Sequence, residues 1–539
     1  MPTMALDFGT STTLCAEREG LSPCRVLPIG QNRSYMPTIA SITPDRVLIG
    51  ESAAEQPEST LVRSVKTLLA TGAQHAEVLD SRGLKHRVSV DDLVRQILEH
   101  TRARAESAGA QSGVPIRLGC PAMWTADPRQ RLARLARDAG FHASVEMMLD
   151  EPIAAGISWV WNSYIHGESY PEGRVLVFDF GGGTLDVALL DIERASTPRV
   201  TALASVGNDL AGDRIDGAIR DHLLKATGME RIETELHRTL VGLASNRLKE
   251  QLTVRKRAST FLGGELAGVG ELTLERDELR ELASPIMDAA LVTTERCLKA
   301  AQLRSLRQSL DPKDFSDASS IRSTDFGDLA ADVNYVLLAG GMSKAVFVAE
   351  RLRTWFPHAD VVVDPGIESV EEAVVSGLTV SDVISDLNLD RPAFSFEVTY
   401  RDRRTGEGLG TETVYDAFSP LYRPEDVVVR AFGHGHRREL SVPGKREVVA
   451  SLLCRGLDGE ALPLQIDGEH QSAVEVFLGS GGGVFTLFVN GRVSLSGKER
   501  ADLFVERWPA AGGERTLSLR SRQEWHPQEE NPNWWVGGE

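Results

Sequence analysis

Two stretches of the chain repeat one pattern of apolar and polar positions. They are "MALDFGTSTTLCAE" (residues 4–17) and "VFDFGGGTLDVALL" (residues 177–190). In each, an apolar run ends at an Asp, a glycine turn with a hydroxyl residue follows, and a second apolar run begins. Glycine permits tight turns, so the pattern predicts two β-hairpins. Asp7 and Asp179 occupy the same position in the two copies.

Helical and strand patterns alternate through the first 385 residues or so. Residues 90–109 carry Val90, Val94, Ile97 and Leu98 at helical spacing. This alternation predicts an α/β fold. Further predicted elements are a strand over 115–122, a helix over 127–139, a strand over 146–152 with a helix starting at Pro152, a helix ended by Gly228, a helix over 233–252, and a strand, glycine turn and helix over 334–356.

The pattern changes after residues 381–392, where short alternating segments such as "FSFEVTY" (394–400) replace the helical ones. Asn490-Gly491 lies between two such segments and suits a two-residue hairpin turn. We therefore predict an all-β, sandwich-like domain. The predicted organisation is 1–383 as an α/β domain, 384–391 as a linker, 392–520 as the β domain and 521–539 as a polar tail.

Composition excludes some classes of protein. The 539 residues carry a net charge of −18, which argues against nonspecific binding to nucleic acid or to anionic membranes. Five scattered cysteines without a CxxC pair predict reduced thiols. The start lacks the features of a signal peptide, and no apolar run reaches the ~18 residues that span a bilayer. We therefore expect a cytoplasmic protein.

The glycine turns indicate binding of a phosphate group. Backbone N–H groups of such a turn converge on one anion, and a carboxylate at a strand end suits hydrated Mg²⁺. Two facing hairpins would hold a triphosphate and its metal from both sides. A single copy would more simply be a plain hairpin with a surface Asp. A third turn, "LLAGGMS" (337–343), opens onto a helix and favours the phosphate interpretation, whereas no GxxxxGK[ST] loop is present.

Four segments resemble a known superfamily. "LDFGTS" (6–11), "DEPIAAGIS" (150–158), "VFDFGGGTLDV" (177–187) and "VLLAGGMSK" (336–344) look like the actin-like ATPases. The resemblance is greatest to the 70-kDa heat-shock (DnaK-type) chaperones and covers about 4–383. It implies an α/β actin-like ATPase domain with two lobes and a duplicated ribonuclease-H-like core. That family's helical lid is absent from the sequence pattern.

The resemblance also implies roles for individual residues. Asp7 and Asp179 would face Mg²⁺ through its waters, Lys66 would be the catalytic lysine, Glu151 would help to place the attacking water, and Thr184 would lie beside the γ-phosphate. The implied ATP-binding residues are Gly9, Thr10, Ser11, Gly181, Gly182, Gly183, Gly212, Lys249, Gly340, Gly341 and Met342.

Simpler interpretations exist for several of these positions. A lysine on a helix is usually a solvated surface residue, and an acid such as Glu151 at a helix start is favoured by the helix dipole alone. Asp186 alternates with Leu185 and Val187, which is typical of a solvent-facing position.

The chain also departs from the family near the nucleoside. Asn246 and Glu250 stand where the family has a Glu and often a basic residue, and Met342 replaces a Ser. About five extra residues follow "DPG" (364–366). These departures weaken the expected adenine preference.

Two further positions match residues that, in the family, relay the nucleotide state to the partner domain. They are Pro121 and Arg129. The alternative is a proline that closes a strand and an arginine on a helix, both of which are common.

The sequence supports two hypotheses of function. The first is a chaperone-like, Mg²⁺- and ATP-dependent ATPase that couples its ATP or ADP state to an extended peptide or a dedicated protein partner bound by 392–539. A co-chaperone or nucleotide-exchange partner would accompany it. The second is a nucleotide-dependent scaffold with little hydrolysis and one partner. A small-molecule kinase is disfavoured because no acceptor-deprotonating Asp is evident.

Overall fold

The first predicted hairpin lies in a six-stranded sheet with the order β11-β10-β1-β2-β3 and with β4 beside β2. β1 pairs antiparallel with β2 and parallel with β10. The elements of this first lobe are β1 Pro2–Phe8, β2 Thr12–Glu19, β3 Arg25–Val26, β4 Tyr35–Pro37, β5 Ala40–Ile42, β6 Val47–Ile49, α1 Glu51–Ala54, β7 Leu61–Val62, α2 Val65–Ala70, β8 His75–Leu79, β9 Lys85–Ser89, α3 Val90–Ser107, β10 Pro115–Cys120, α4 Ala126–Asp138 and β11 His142–Asp150.

The second hairpin lies in a second six-stranded sheet, with the order β18-β17-β12-β13-β14-β19. β12 pairs antiparallel with β13 and parallel with β17, so this lobe repeats the arrangement of the first. Its elements are α5 Glu151–Ile165, β12 Gly173–Phe180, β13 Leu185–Glu193, β14 Arg199–Asn208, α6 Gly212–Ala226, α7 Glu235–Val254, β15 Arg257–Phe261, β16 Glu271–Glu275, α8 Arg276–Arg307, α9 Phe326–Ala330, β17 Tyr335–Ala339, α10 Val346–Trp355, β18 Asp360–Val362, α11 Ala373–Val380 and β19 Ser385–Asn388.

Helices α5 and α11 pack between the two sheets and form one buried apolar cluster with both hairpins. They cross closely, since a Cβ on Gly377 would lie 1.7 Å from the carbonyl oxygen of Ala154. The crossing brings the ends of β1 and β12 together, and Asp7 and Asp179 are located at those ends.

The C-terminal region is built from strands. A four-stranded sheet (β21-β20-β23-β26) and a seven-stranded sheet (β22-β27-β28-β29-β30-β24-β25) share a common apolar core. Its elements are β20 Ser395–Asp402, β21 Gly408–Tyr415, β22 Gly435–Leu440, β23 Val448–Arg455, β24 Leu464–Ile466, β25 Glu469–Gln471, β26 Val474–Leu478, β27 Gly483–Phe488, β28 Arg492–Ser496, β29 Arg500–Arg507 and β30 Leu517–Ser521.

This computed structural model describes residues 2–56, 60–80, 84–165, 171–194, 198–228, 235–262, 264–307, 321, 324–380, 385–388, 394–419, 435–445, 447–456, 459–488, 492–498, 500–507 and 516–521. The Asn490-Gly491 turn and nearly all of the predicted tail lie outside them. The strands on either side of that turn, β27 and β28, do pair antiparallel.

Most predicted elements are present, with shifted ends. The helix expected at Pro152 begins at Glu151, and the strand expected over 115–122 ends at Cys120. Within the expected linker 384–391, residues Ser385–Asn388 form β19, which pairs parallel with β14 at the edge of the second sheet. In the described part of 394–521 there is no α-helix.

Candidate functional site

The two glycine turns face each other across the cleft between the lobes. A Cβ on Gly182 would lie 2.3 Å from Ser11 Oγ, and one on Gly183 would lie 2.7 Å from Thr10 Oγ1. Each turn is closed by the same 3.0 Å bond, in which the first glycine N–H donates to a carbonyl three residues on. The sequence repeat is therefore a geometric repeat, and its two copies meet.

The carboxylates of Asp7 and Asp179 are buried in this cleft, with 8% and 7% of each residue exposed. The pKa of Asp7 is raised to about 7, chiefly by burial and also by the charge of Glu151, while Lys66 opposes the shift. Burial raises the pKa of Asp179 well above its usual value, with Glu151, Asp186 and Asp7 contributing. The mutual influence of these groups places them in one electrostatic site.

Lys66 is the cation of this cluster. It is 3% exposed and forms an ion pair with Glu151, and its Nζ lies 5.8 Å from the ring centroid of Trp124. Burial by itself would lower the pKa of Lys66, but Glu151 and Asp7 outweigh burial and raise it. The simpler interpretation of Lys66 as a solvated surface lysine is therefore excluded.

Asp186 is buried, which corrects the expectation from the sequence that it faces solvent. Only 1% of it is exposed, and its Oδ1 accepts a 2.8 Å hydrogen bond from the N–H of Ala122. Burial raises its pKa to about 7, with Glu151 adding to the shift and a hydrogen bond with Thr184 opposing it. The alternation of Asp186 with Leu185 and Val187 suggested solvent exposure wrongly, because the sheet is covered on both faces and neither side of β13 meets water there.

The third glycine turn closes the cleft beside Asp179. Gly340 has a φ of 76°, and a Cβ there would lie 2.4 Å from Asp179 Oδ1. Such a φ and such a close approach suit glycine alone. Gly341 adjoins Glu371, since a Cβ on Gly341 would lie 3.5 Å from Glu371 Oε1.

Gly212 joins the second turn to Lys249 on α7. Its N–H donates to the carbonyl of Gly181 over 3.2 Å, and its own carbonyl accepts from Lys249 Nζ over 3.2 Å. A Cβ on Gly212 would lie 3.1 Å from Met342. Lys249 also pairs with Asp216 at 2.7 Å, which the sequence had not singled out.

Two positions that depart from the family, Asn246 and Glu250, lie on α7. Asn246 donates a 3.1 Å hydrogen bond to Asp216, and Glu250 is exposed. Asp364 belongs to the segment (364–366) that precedes the extra residues, and its carboxylate accepts hydrogen bonds from Ser158 and Asn162. That segment therefore has a defined structural anchor.

The predicted relay residues adjoin the cluster. Pro121 follows the last residue of β10 and immediately precedes Ala122, whose N–H donates to Asp186. Arg129 is 1% exposed and forms a 2.7 Å ion pair with Asp150. Arg129 is therefore a buried arginine on α4, and its role as a relay stays a prediction.

The residues fit the expected ligands. Four buried carboxylates surround one lysine, which leaves an excess of negative charge that a hard divalent cation would neutralise, and oxygen ligands are those that Mg²⁺ prefers. Over the described residues, no three His, Cys, Asp or Glu side chains are arranged to ligate a metal directly.

A family model described as Hsp70 protein matches residues 6–308. The chain belongs to the Hsp70 family. The resemblance predicted from the sequence is thus confirmed. With the Hsp70 assignment, the two repeated lobes correspond to the actin-like ATPase domain of that family.

Curated proteins called "Chaperone protein HscA homolog" are similar to this Hsp70-family chain. One from Vibrio cholerae is 29% identical over an alignment of 490 residues that covers 84% of this chain and 69% of the relative. One from Haemophilus influenzae is 25% identical over 414 residues, 71% of this chain and 59% of the relative. One from Colwellia psychrerythraea is 27% identical over 322 residues.

Among the helices that the structure describes, none combines the length and apolarity needed to cross a membrane.

Proposed function

We propose that this protein is a chaperone-type ATPase that hydrolyses Mg-ATP in the cleft between its two lobes. The observation that carries the proposal is the convergence of twin hairpins on one site. The first strand of each hairpin carries a buried carboxylate near its end, and the site contains the buried ion pair Lys66–Glu151. Membership of the Hsp70 family supports it.

Each group has a role that its position suits. The N–H groups of the turns at 9–11 and 181–183 bind phosphate oxygens, and the Lys66 ammonium neutralises charge on the γ-phosphate. Glu151 orients the attacking water, and the Thr184 hydroxyl lies beside the γ-phosphate. Asp7 and Asp179 would hold Mg²⁺ through its waters, and the ion when bound neutralises charge on the phosphates.

We further propose that the β region, about 392–520, binds an extended peptide or a dedicated protein, and that 1–383 and 384–391 act as ATPase domain and linker. A peptide could add to a sheet edge by main-chain hydrogen bonds. Because coupling between sites is reciprocal, such a ligand would also change ATP turnover. The relatives named as chaperones support this part of the proposal.

The test is steady-state phosphate release by the full chain, with and without an unfolded extended peptide, alongside calorimetric binding of Mg-ATP. We expect hydrolysis that the peptide changes. Binding of Mg-ATP with no hydrolysis above background would instead favour the scaffold hypothesis. No Mg-ATP binding at all would refute both.

A further inference from the structure

A cavity opens between helices α8 and α10, and its lining residues are distinct from the predicted ATP-binding residues. Its volume is about 390 Å³, and small-molecule sites in proteins span roughly 300–1,000 Å³. Met287 of α8 and Phe347 of α10 line it and are buried. Both belong to the apolar core of the second lobe, so packing fixes the apolar part of the wall before any ligand arrives.

The charged groups around the cavity leave one carboxylate over. Arg280 pairs with Glu350 at 2.6 Å. Arg351 pairs with Asp288 at 2.8 Å. Both arginines of the lining are thus neutralised. The carboxylate of Glu281, which also lines the cavity, has no hydrogen-bond or ion-pair partner among the described residues. The cavity therefore offers an uncompensated negative charge.

Glu281 offers a backbone acceptor as well. Pro285 lies inside α8 and has no N–H, so the carbonyl of Glu281 lacks the hydrogen bond that a helix residue ordinarily receives from four positions on. Ser284, on the same wall, adds a hydroxyl. Oxygen acceptors on α8 thus adjoin an apolar surface. A ligand that suits both carries N–H donors and a positive charge on an apolar group.

We propose that this cavity binds a small organic cation, which is an ammonium or guanidinium carried by an apolar group. The cation pairs with the Glu281 carboxylate. The apolar group packs on Met287 and Phe347, and the flexible thioether adapts to its shape. An anion is disfavoured because both arginines are already paired, and a purely apolar ligand gains nothing from Glu281. The inference does not depend on the proposed ATPase function.

The first test compares three probes that share one shape. They are phenethylammonium, its neutral counterpart phenethyl alcohol and its anionic counterpart phenylpropionate. Each is titrated into the full chain while the methyl signal of Met287 is followed by NMR with isotope-labelled methionine methyl groups, and Met287→Leu identifies that signal. We expect phenethylammonium to bind with a Kd on the order of 1 mM, which is ordinary for so small a ligand. Phenylpropionate should bind at least about tenfold more weakly, and the alcohol should lie between them.

The second test uses variants. Glu281→Gln keeps the shape of the wall and removes the charge, so the affinity for phenethylammonium should fall at least about fivefold. Ser284→Lys places an ammonium one helical turn from Glu281, where it should pair with that carboxylate and abolish binding of the probe. Glu295→Gln, at an acid elsewhere on α8 that pairs with Lys299, is the matched control and should bind the probe as the wild type does.

Three results would overturn the proposal. They are no saturable shift of the Met287 signal, equal affinities for phenethylammonium and phenylpropionate, and an affinity in Glu281→Gln equal to that in Glu295→Gln. The first would remove the site, the second would remove its preference for a cation, and the third would remove Glu281 as its partner. None of these readouts requires the protein to bind or hydrolyse ATP.

Discussion

At the scale of single residues, the site is defined by an imbalance of charge. Asp7, Asp179, Asp186 and Glu151 influence one another, and Lys66 is the cation that opposes them. A buried charge is tolerated when it is paired and hydrogen-bonded. Removing either partner of the Lys66–Glu151 pair should therefore have a large effect on function.

Lys66→Ala should abolish hydrolysis and leave Mg-ATP binding measurable. The ammonium is placed to neutralise charge that develops on the γ-phosphate, whereas the backbone N–H groups of the turns supply most of the binding. Phosphate release and calorimetry would check the two effects separately. Lys85→Ala is the matched control, since that lysine is exposed and remote. Hydrolysis at the wild-type rate in Lys66→Ala would remove Lys66 from the mechanism.

Asp186 allows a sharper comparison. Asp186→Asn removes the charge and keeps an acceptor for the N–H of Ala122, while Asp186→Ala leaves that buried donor unpaired. The Ala variant should be less stable than the Asn variant by about 1–3 kcal/mol, the cost of an unsatisfied buried group. Denaturant unfolding of the nucleotide-free protein would measure the difference. Equal stabilities would mean that water satisfies this N–H.

Sequence and resemblance identified Lys66, Glu151 and the two aspartates of the hairpins, because short patterns specify them. They did not identify Asp186 or Asp216. For Asp186, alternation with Leu185 and Val187 indicates a strand but does not reveal that both faces of the sheet are covered. Asp216 becomes visible only when α6 and α7 pack and bring Lys249 to it.

At the scale of elements, the two turns work as a pair because they touch. At Gly183 the contact is broad, since a Cβ there would meet three atoms of Thr10 at 2.7–3.1 Å. The local hydrogen bond within each turn follows from its own sequence. The contact between turns depends instead on the crossing of α5 and α11.

Gly183→Ala should weaken Mg-ATP binding by roughly tenfold, because overpacking costs about 1–3 kcal/mol and would separate the two turns. Gly217→Ala in α6 is the matched control, since the nearest atom to its added Cβ lies 3.9 Å away. Calorimetric titration of Mg-ATP into both variants would measure the two affinities. An affinity for Gly183→Ala equal to that of Gly217→Ala would show that the turns separate without cost.

The predictable elements were those with a local signature, such as α3, where Ser89 caps the helix by accepting from the N–H of Asp92. The long helix α8 was not predicted, and it carries an internal Pro285. The strand β19 was expected to be linker. Its pairing depends on the free edge of β14, which is nearly 180 residues earlier and invisible to local patterns.

At the scale of the whole molecule, a turn of the β region packs into the first lobe beside Arg129. The sequence indicated a separate β domain but gave no sign that Phe418 would enter the first lobe. Contacts between regions depend on shape and burial at both surfaces, and a single turn such as 416–419 carries no periodic signal.

The acidic cluster should also make the stability of the whole protein depend on pH. The pKa of Asp7 and that of Asp186 are each raised from 3.8 to about 7, so the folded state holds protons that the unfolded state releases. Their contribution to stability is complete below about pH 4 and is lost as pH rises through about 7. From pH 6 to pH 8, the chelator-treated, nucleotide-free protein should therefore lose stability.

Asp7→Asn isolates this contribution. The amide does not ionise, so the fall in Tm between pH 6 and pH 8 should be smaller in Asp7→Asn than in the wild type, and the variant should be the more stable protein at pH 8. Asp45→Asn, a carboxylate on the surface, is the matched control and should keep the wild-type slope. Scanning calorimetry with Mg²⁺ chelated measures both. An equal fall in Tm between pH 6 and pH 8 in the variant and the wild type would mean that the cluster is already neutralised in the folded protein. The excess of negative charge on which the Mg²⁺ assignment depends would then not exist.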